Sequence, residues 1–136
     1  MTPDEMRVRV AGARVARLAT VGAAGAPHLV PFCFVLDGDF VFSAVDRKPK
    51  STDRLRRLAN VARDPRVAIL VDHYEEDWRQ LWWVRLDGRA EVLATAPDRD
   101  LALGLLAAKY DQYQREPPEG AVLAIAVERW RGWAAV

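Results

Sequence analysis

Apolar and polar positions along the chain alternate in short runs and recur at helical spacing in three longer ones. Thr2-Pro3-Asp4-Glu5 has the chemistry of a helix start: a capping hydroxyl, a proline suited to the first helical position and a glutamate completing a capping box. A helix to about Ala13 is expected there. Residues 14–21, RVARLATV, alternate with a period of two and predict a strand. GAAGAP (residues 22–27) is a turn, and HLVPFCFVL (28–36) a second strand in which Pro31 marks an edge or a bulge. DGD (37–39) is a tight hairpin turn and FVFSA (40–44) a third strand. After a loop over 45–50, Ser51 or Thr52 caps a helix to about Ala62, with Leu55, Leu58, Ala59 and Ala62 as its expected buried stripe. Its arginines, Arg54, Arg56, Arg57 and Arg63, fall mostly off that stripe.

Asp64-Pro65 stops this helix. RVAILVDHY (66–74) is a strand, EED (75–77) an acidic loop, and residues 80–94 a long strand bent at Asp87-Gly88. Thr95, Pro97 and Asp98 open a third helix to about Tyr110; 111–120 is a loop and 121–136 the last strand and tail. The sum is six strands and three helices. Short turns make the first three strands antiparallel neighbours, and such a sheet with helices at its ends most often closes into a barrel. One domain over residues 1–136 accommodates all of it.

Charge changes this picture in one place. The chain as a whole has a net charge of +1. Residues 46–66, DRKPKSTDRLRRLANVARDPR, hold eight Lys or Arg and three Asp, and the remainder is net negative by four. A local positive field on a faintly negative body suits a small anion better than a nucleic-acid duplex, and no nucleic-acid recognition module is present. Arg47, Lys48 and Lys50 stand just before a helix N-terminus, where free N–H groups and the helix dipole favour an anion. A solvated basic face is the competing reading.

The usual catalytic devices are missing. His28 and His73 have no Ser or Cys partner at motif spacing, and no nucleophile elbow, zinc-ligand motif or phosphate loop occurs. DHYEED (72–77) matches no cation loop and reads as a solvated strand end, so no metal is expected. Cys33 is the only cysteine, which excludes an intrachain disulfide; within its apolar run it reads as a small core residue. No apolar stretch approaches the length of a membrane helix and no signal-peptide pattern opens the chain, so a cytoplasmic protein is expected. Without an acid, base or nucleophile of its own, the protein either only binds or leaves the chemistry to a cofactor. Five tryptophans bear on this. Trp82 and Trp83 face opposite sides of a strand; one can enter the core and the other a groove or partner. A planar ring lying against Trp or Phe is the sharper use of such residues, and Trp82 is a candidate cofactor contact.

The order of these pieces resembles the pyridoxamine 5′-phosphate oxidase-like superfamily, the split β-barrel flavin and deazaflavin oxidoreductases. The match runs from ARVARLATVGAAGAPHLVPFCFVLDGDFVFSAVDRKPK through STDRLRRLANVARDPRVAILVD to WWVRLDGRAEVL. Within it the chain looks most like the small actinobacterial branch that uses coenzyme F420. The resemblance implies a mainly β, six-stranded antiparallel FMN-binding split barrel and a homodimer with the cofactor groove between subunits. Lys50 matches the family's phosphate lysine, with Arg47, Lys48 and Ser51 beside it. Ser43 and Ala44 would line the groove, and His28, Val30, Pro31 and Phe32 would approach the ring. The loop DRKPK is a residue longer than the Ser-Arg-Lys pattern of the flavin oxidases, so Lys48 and Lys50 can exchange roles. ERWRGWAAV stands where the namesake oxidases carry Arg-x-x-x-Arg-Leu, which argues against that reaction. The implied function is hydride transfer from reduced F420 to an unsaturated or conjugated small molecule. An FMN-dependent oxidoreductase of the same fold, or a carrier of a flavin, haem or tetrapyrrole, are the alternatives.

Overall fold

The computed structural model describes residues 1–45, 52–95 and 97–136, the side chains of 52–55 excepted. The basic loop with Arg47, Lys48, Lys50 and Ser51 lies outside the described residues, as does the Leu55 side chain.

Helix α1 (Pro3–Gly12) begins as its sequence dictates. The Thr2 hydroxyl accepts the Glu5 N–H at 3.2 Å and the Thr2 N–H donates to the Glu5 carboxylate at 2.7 Å. Then come β1 (Ala16–Val21), β2 (Pro27–Phe32), β3 (Val35–Asp37), β4 (Phe40–Ala44), α2 (Thr52–Arg63), β5 (Arg66–His73), β6 (Trp82–Leu93), α3 (Asp98–Lys109), α4 (Asp111–Arg115) and β7 (Val122–Ala134). Among the described residues no helix is long and apolar enough to cross a membrane.

The strands form one antiparallel sheet of seven, in the order β2-β1-β5-β6-β7-β4-β3. This corrects the expected six. The run 28–36 is two strands, because the chain leaves one edge of the sheet at Phe32 and joins the opposite edge at Val35. The two edges are therefore joined covalently through Cys33 and Phe34. No ladder pairing links β2 to β3, so the sheet curls round its core without closing. Pro31 is tolerated because β2 pairs only with β1. The expected three helices are four: Tyr110, with extended φ −118° and ψ 117°, ends α3, and a short α4 follows within the expected loop.

Alternation sets the inside. Leu18 and Thr20 of β1, Val30 and Phe32 of β2, Val67, Ile69 and Val71 of β5, and Val84 and Leu86 of β6 are buried. Met6 and Val10 of α1 join the same cluster. Strand β4 is buried on both faces: Val41 belongs to that core, while Phe42 packs with Ala102 and Ala44 with Leu106, both of α3. The bend expected at Asp87-Gly88 is a bulge: Asp87 pairs with Arg129 and Gly88 with Val127, leaving Glu128 as the extra residue on β7.

Helix α2 corrects a second expectation. Leu58 packs against the core as expected, but Ala59 and Ala62 are exposed, and the described buried residues are Arg57, Asn60 and Val61. The polar ones have work at the sheet. Asn60 Nδ2 donates to Thr20 Oγ1 at 3.0 Å, Arg63 Nη2 donates to Asn60 Oδ1 at 3.1 Å, and Thr20 Oγ1 lies 3.5 Å from His28 Nδ1. A buried polar chain therefore ties α2 to β1 and β2, which an apolar stripe would not do.

Candidate functional site

A cavity of about 300 Å³ opens where the unpaired seam of the sheet meets α2. Pro31 and Phe32 reach it from the end of β2, Ser43 and Ala44 from β4, and Arg57 from α2. Cys33, from the seam, and Tyr113, from α4, complete much of the wall. Ser43 Oγ donates to the Cys33 carbonyl at 2.8 Å, holding β4 to the crossing chain. Arg57 is 7% exposed. A buried guanidinium at a cavity wall favours a ligand carrying negative charge or carbonyl oxygens.

Four of the residues singled out from sequence, Pro31, Phe32, Ser43 and Ala44, thus share one cavity. Val30 is turned into the core, and His28 stands further along β2 beside Thr20. Trp82 faces inward, against the core, and lines a different hollow; Trp83 is on the outer face. Arg47, Lys48, Lys50 and Ser51 fall in the undescribed segment between β4 and α2, elements that each give a residue, Ala44 and Arg57, to the cavity wall. The sequence reading missed Arg57, Tyr113 and Cys33. Cys33 is exposed and not a core residue, because it sits at the crossing between the two sheet edges. Arg57 had a signal in its i+3 and i+4 neighbours Asn60 and Val61, hidden because two of the three are polar.

Behind the cavity the seam is fastened by polar groups. Tyr110 Oη accepts the Phe34 N–H at 3.0 Å and lies 2.9 Å from the carbonyl oxygens of both Arg14 and Phe34. Lys109 Nζ donates to the Phe34 carbonyl at 2.8 Å and sits 4.0 Å above the Phe34 ring. Burial, reinforced by the Arg14 charge, pushes the Lys109 ammonium down to about 8. Burial also pushes the Tyr110 phenol up. A sign follows for each. Between about pH 8 and the ordinary lysine value of 10.5 the unfolded chain holds the Lys109 proton more tightly than the native one, so stability rises with pH. Above the ordinary tyrosine value of 10.0 the unfolded phenol ionises first, and stability falls. Urea midpoints measured from pH 7 to 11 should rise and then turn over, and Lys109→Met should flatten the rise. A midpoint that only falls above pH 8 in the native protein would contradict the burial of Lys109.

The description of the family named Pyridoxamine 5′-phosphate oxidase matches residues 2–134. The chain belongs to the pyridoxamine 5′-phosphate oxidase family. A curated relative is the 5a,11a-dehydrotetracycline/5a,11a-dehydrooxytetracycline reductase of Streptomyces rimosus, 38% identical over 80 residues, 58% of this chain. That match spans 55%, about half, of the reductase's own length. It agrees with the actinobacterial branch of the pyridoxamine 5′-phosphate oxidase-like proteins. Among solved structures, a conserved hypothetical protein of Mycobacterium tuberculosis aligns with a TM-score of 0.81 at 22% identity, over 99% of this chain and 86% of that one. A FAD-binding protein of Mesorhizobium loti aligns with a TM-score of 0.73 at 23% identity, over 97% and 94%. At these identities the likeness is one of fold.

Proposed function

We propose that the protein is an F420H2-dependent reductase of unsaturated or conjugated small molecules, acting as a homodimer. The observation that carries the reading is the buried Arg57 at the wall of the cavity formed by Pro31, Ser43 and Ala44, on the helix that follows the loop of Arg47, Lys48 and Lys50 in the chain. Such a donor set fits a cofactor with a polar ring edge and an anionic tail. F420 is the better match than FMN because its phosphodiester and oligoglutamate tail carry several charges, and residues 46–66 are net positive by five. The cofactor supplies the hydride. The chain's own work is to grip the tail with Lys50, Lys48, Arg47 and Ser51, to seat the ring edge against Pro31, Ser43 and Arg57, and to keep water from the reacting face. This division of labour accounts for the lack of a protein acid or nucleophile at motif spacing.

A volume of about 300 Å³ is at the lower end for small-molecule sites. One chain offers part of a groove, and a second copy is the natural source of the other wall. The outer face of β1, β2, β5 and β6 supports that assembly: it exposes Leu29 (67%), Leu70 (37%) and Tyr74 (66%) around a hollow that Trp83 also lines.

Titrating the purified protein with F420 and with FMN, followed by tryptophan quenching and by sedimentation to read the dimer, tests this. F420 should bind more tightly than FMN, and Lys50→Ala or Lys48→Ala should weaken it by roughly 10- to 100-fold. Preference for FMN would move the protein to a flavin-dependent oxidoreductase. F420 affinity unchanged in both variants would refute the assigned grip. Tight binding without turnover over a broad panel of conjugated acceptors would favour a carrier.

A further inference from the structure

We propose that the hollow where the ends of β5, β6 and β7 meet α1 is a second binding site, for the carboxylate or phosphate group of a small anion with a flat body. This proposal does not rest on the reading above. The hollow has a volume of about 650 Å³ and shares no lining residue with the cavity at Arg57. Arg9 enters it from α1, His73 from β5, Arg79 and Gln80 from the turn before β6, and Trp82 from β6, with Ala134 and Val136 at the β7 side.

The decisive group is Arg9. Its Nη1 is buried and has no hydrogen-bond acceptor among the described residues. Its guanidinium carbon lies 5.0 Å from the centroid of the Trp82 ring, a cation-π contact. A buried guanidinium N–H without an acceptor is costly, and an oxyanion is the acceptor it fits best. The neighbouring charges do not answer it. His73 meets Glu75, and Arg79 holds Asp77 at 3.0 Å, keeping that carboxyl below its usual range. Glu5, one turn before Arg9, is engaged by the Thr2 N–H. Among the described residues Arg9 thus has no hydrogen-bonded carboxylate, Glu5 acting on it only as a nearby charge, while the Gln80 amide already meets Asp77. The rings of Trp82 and His73, 6.4 Å apart and inclined by 23°, give one wall an aromatic surface for a flat or apolar body.

Isothermal titration of the full-length chain with benzoate and, separately, with inorganic phosphate tests the site, with and without saturating F420. Saturable binding of either probe that persists with F420 and falls tenfold or more in Arg9→Gln is the expected result. Benzoate preference would assign a carboxylate ligand, and phosphate preference a phosphate ester. If Arg9→Gln fails to fold, Arg9→Lys keeps the charge but loses the planar fork, and should bind several-fold more weakly than the native protein. No saturable binding of either probe at millimolar concentration, or binding indifferent to both Arg9 variants, would overturn the proposal. So would phosphate binding lost in Lys50→Ala but unaffected at Arg9, since that places the anion on the basic loop.

Discussion

Gly88→Ala should destabilise the protein by about 3 kcal/mol, lowering the melting temperature by roughly 10 °C. A Cβ on Gly88 would stand 2.2 Å from the Ala126 carbonyl oxygen, 3.1 Å from its carbonyl carbon and 3.2 Å from the Val127 Cα. All three obstacles are backbone. They belong to β7, which is paired to β6 on one side and to β4 on the other. A flexible side chain could swing away; this strand can yield only by disturbing ladder pairs on both sides. The close approach exists because the bulge at Asp87/Gly88 brings β7 inward at its extra residue, Glu128. Gly12→Ala is the matched control. Nothing lies within 4 Å of the Cβ it would add at the end of α1, so stability should stay level or rise by about 0.5 kcal/mol. Thermal melts of the two variants decide the matter, and a Gly88→Ala protein that melts like the native one would mean the strands do not approach this closely.

The Gly88 bend was legible because Asp-Gly interrupts an otherwise continuous strand. Other features were legible for equally local reasons: the capping box of α1, the alternation of β1, the apolar run of β5, and the Asp-Pro stop after α2. The crossing at Cys33-Phe34 was not. The chain stays apolar and extended from His28 to Leu36, and alternation records which face a residue takes, not which edge of the sheet its strand joins. The seventh strand and the exposure of Cys33 both follow from that one crossing. The buried face of α2 escaped for a different reason. Arg57 and Asn60 are polar, and a search for apolar spacing finds Ala59 and Ala62, which are exposed. Strand parity explains only part of the site: Val30 and Trp82 turn inward and Pro31 and Cys33 are left exposed at the cavity, but Phe32, buried like Val30, also lines it. A resemblance in residue order placed Pro31, Phe32, Ser43 and Ala44 near one another, and the sheet topology explains it. Strand β2 is one edge of the ladder and β4 stands next to the other, and they meet only because the sheet curls until its edges face across the seam.

That seam should be the other sensitive point of the fold. Phe34→Ala is expected to cost about 4 kcal/mol, since Phe34 is fully buried, among the largest such side chains, and stacks on Phe32 at 5.6 Å. Tyr110→Phe should cost about half as much, roughly 2 kcal/mol, with almost no change in packing volume. It removes one oxygen. Without that oxygen the Phe34 N–H loses its acceptor, while the Phe34 carbonyl keeps Lys109 Nζ at 2.8 Å. The unequal loss matters because no ladder bond between β2 and β3 can take over from Tyr110. Urea denaturation of both variants measures these costs, and a Tyr110→Phe protein as stable as the native one would show that the N–H finds another partner. Cofactor titration of the same variant reads a second consequence. The residue next to Phe34 is Cys33, which lines the cavity and is held to β4 by Ser43. On the proposed function, a loosened seam should weaken F420 binding by several-fold even though Tyr110 is not among the cavity residues, whereas lost stability with unchanged affinity would confine Tyr110 to holding the seam together.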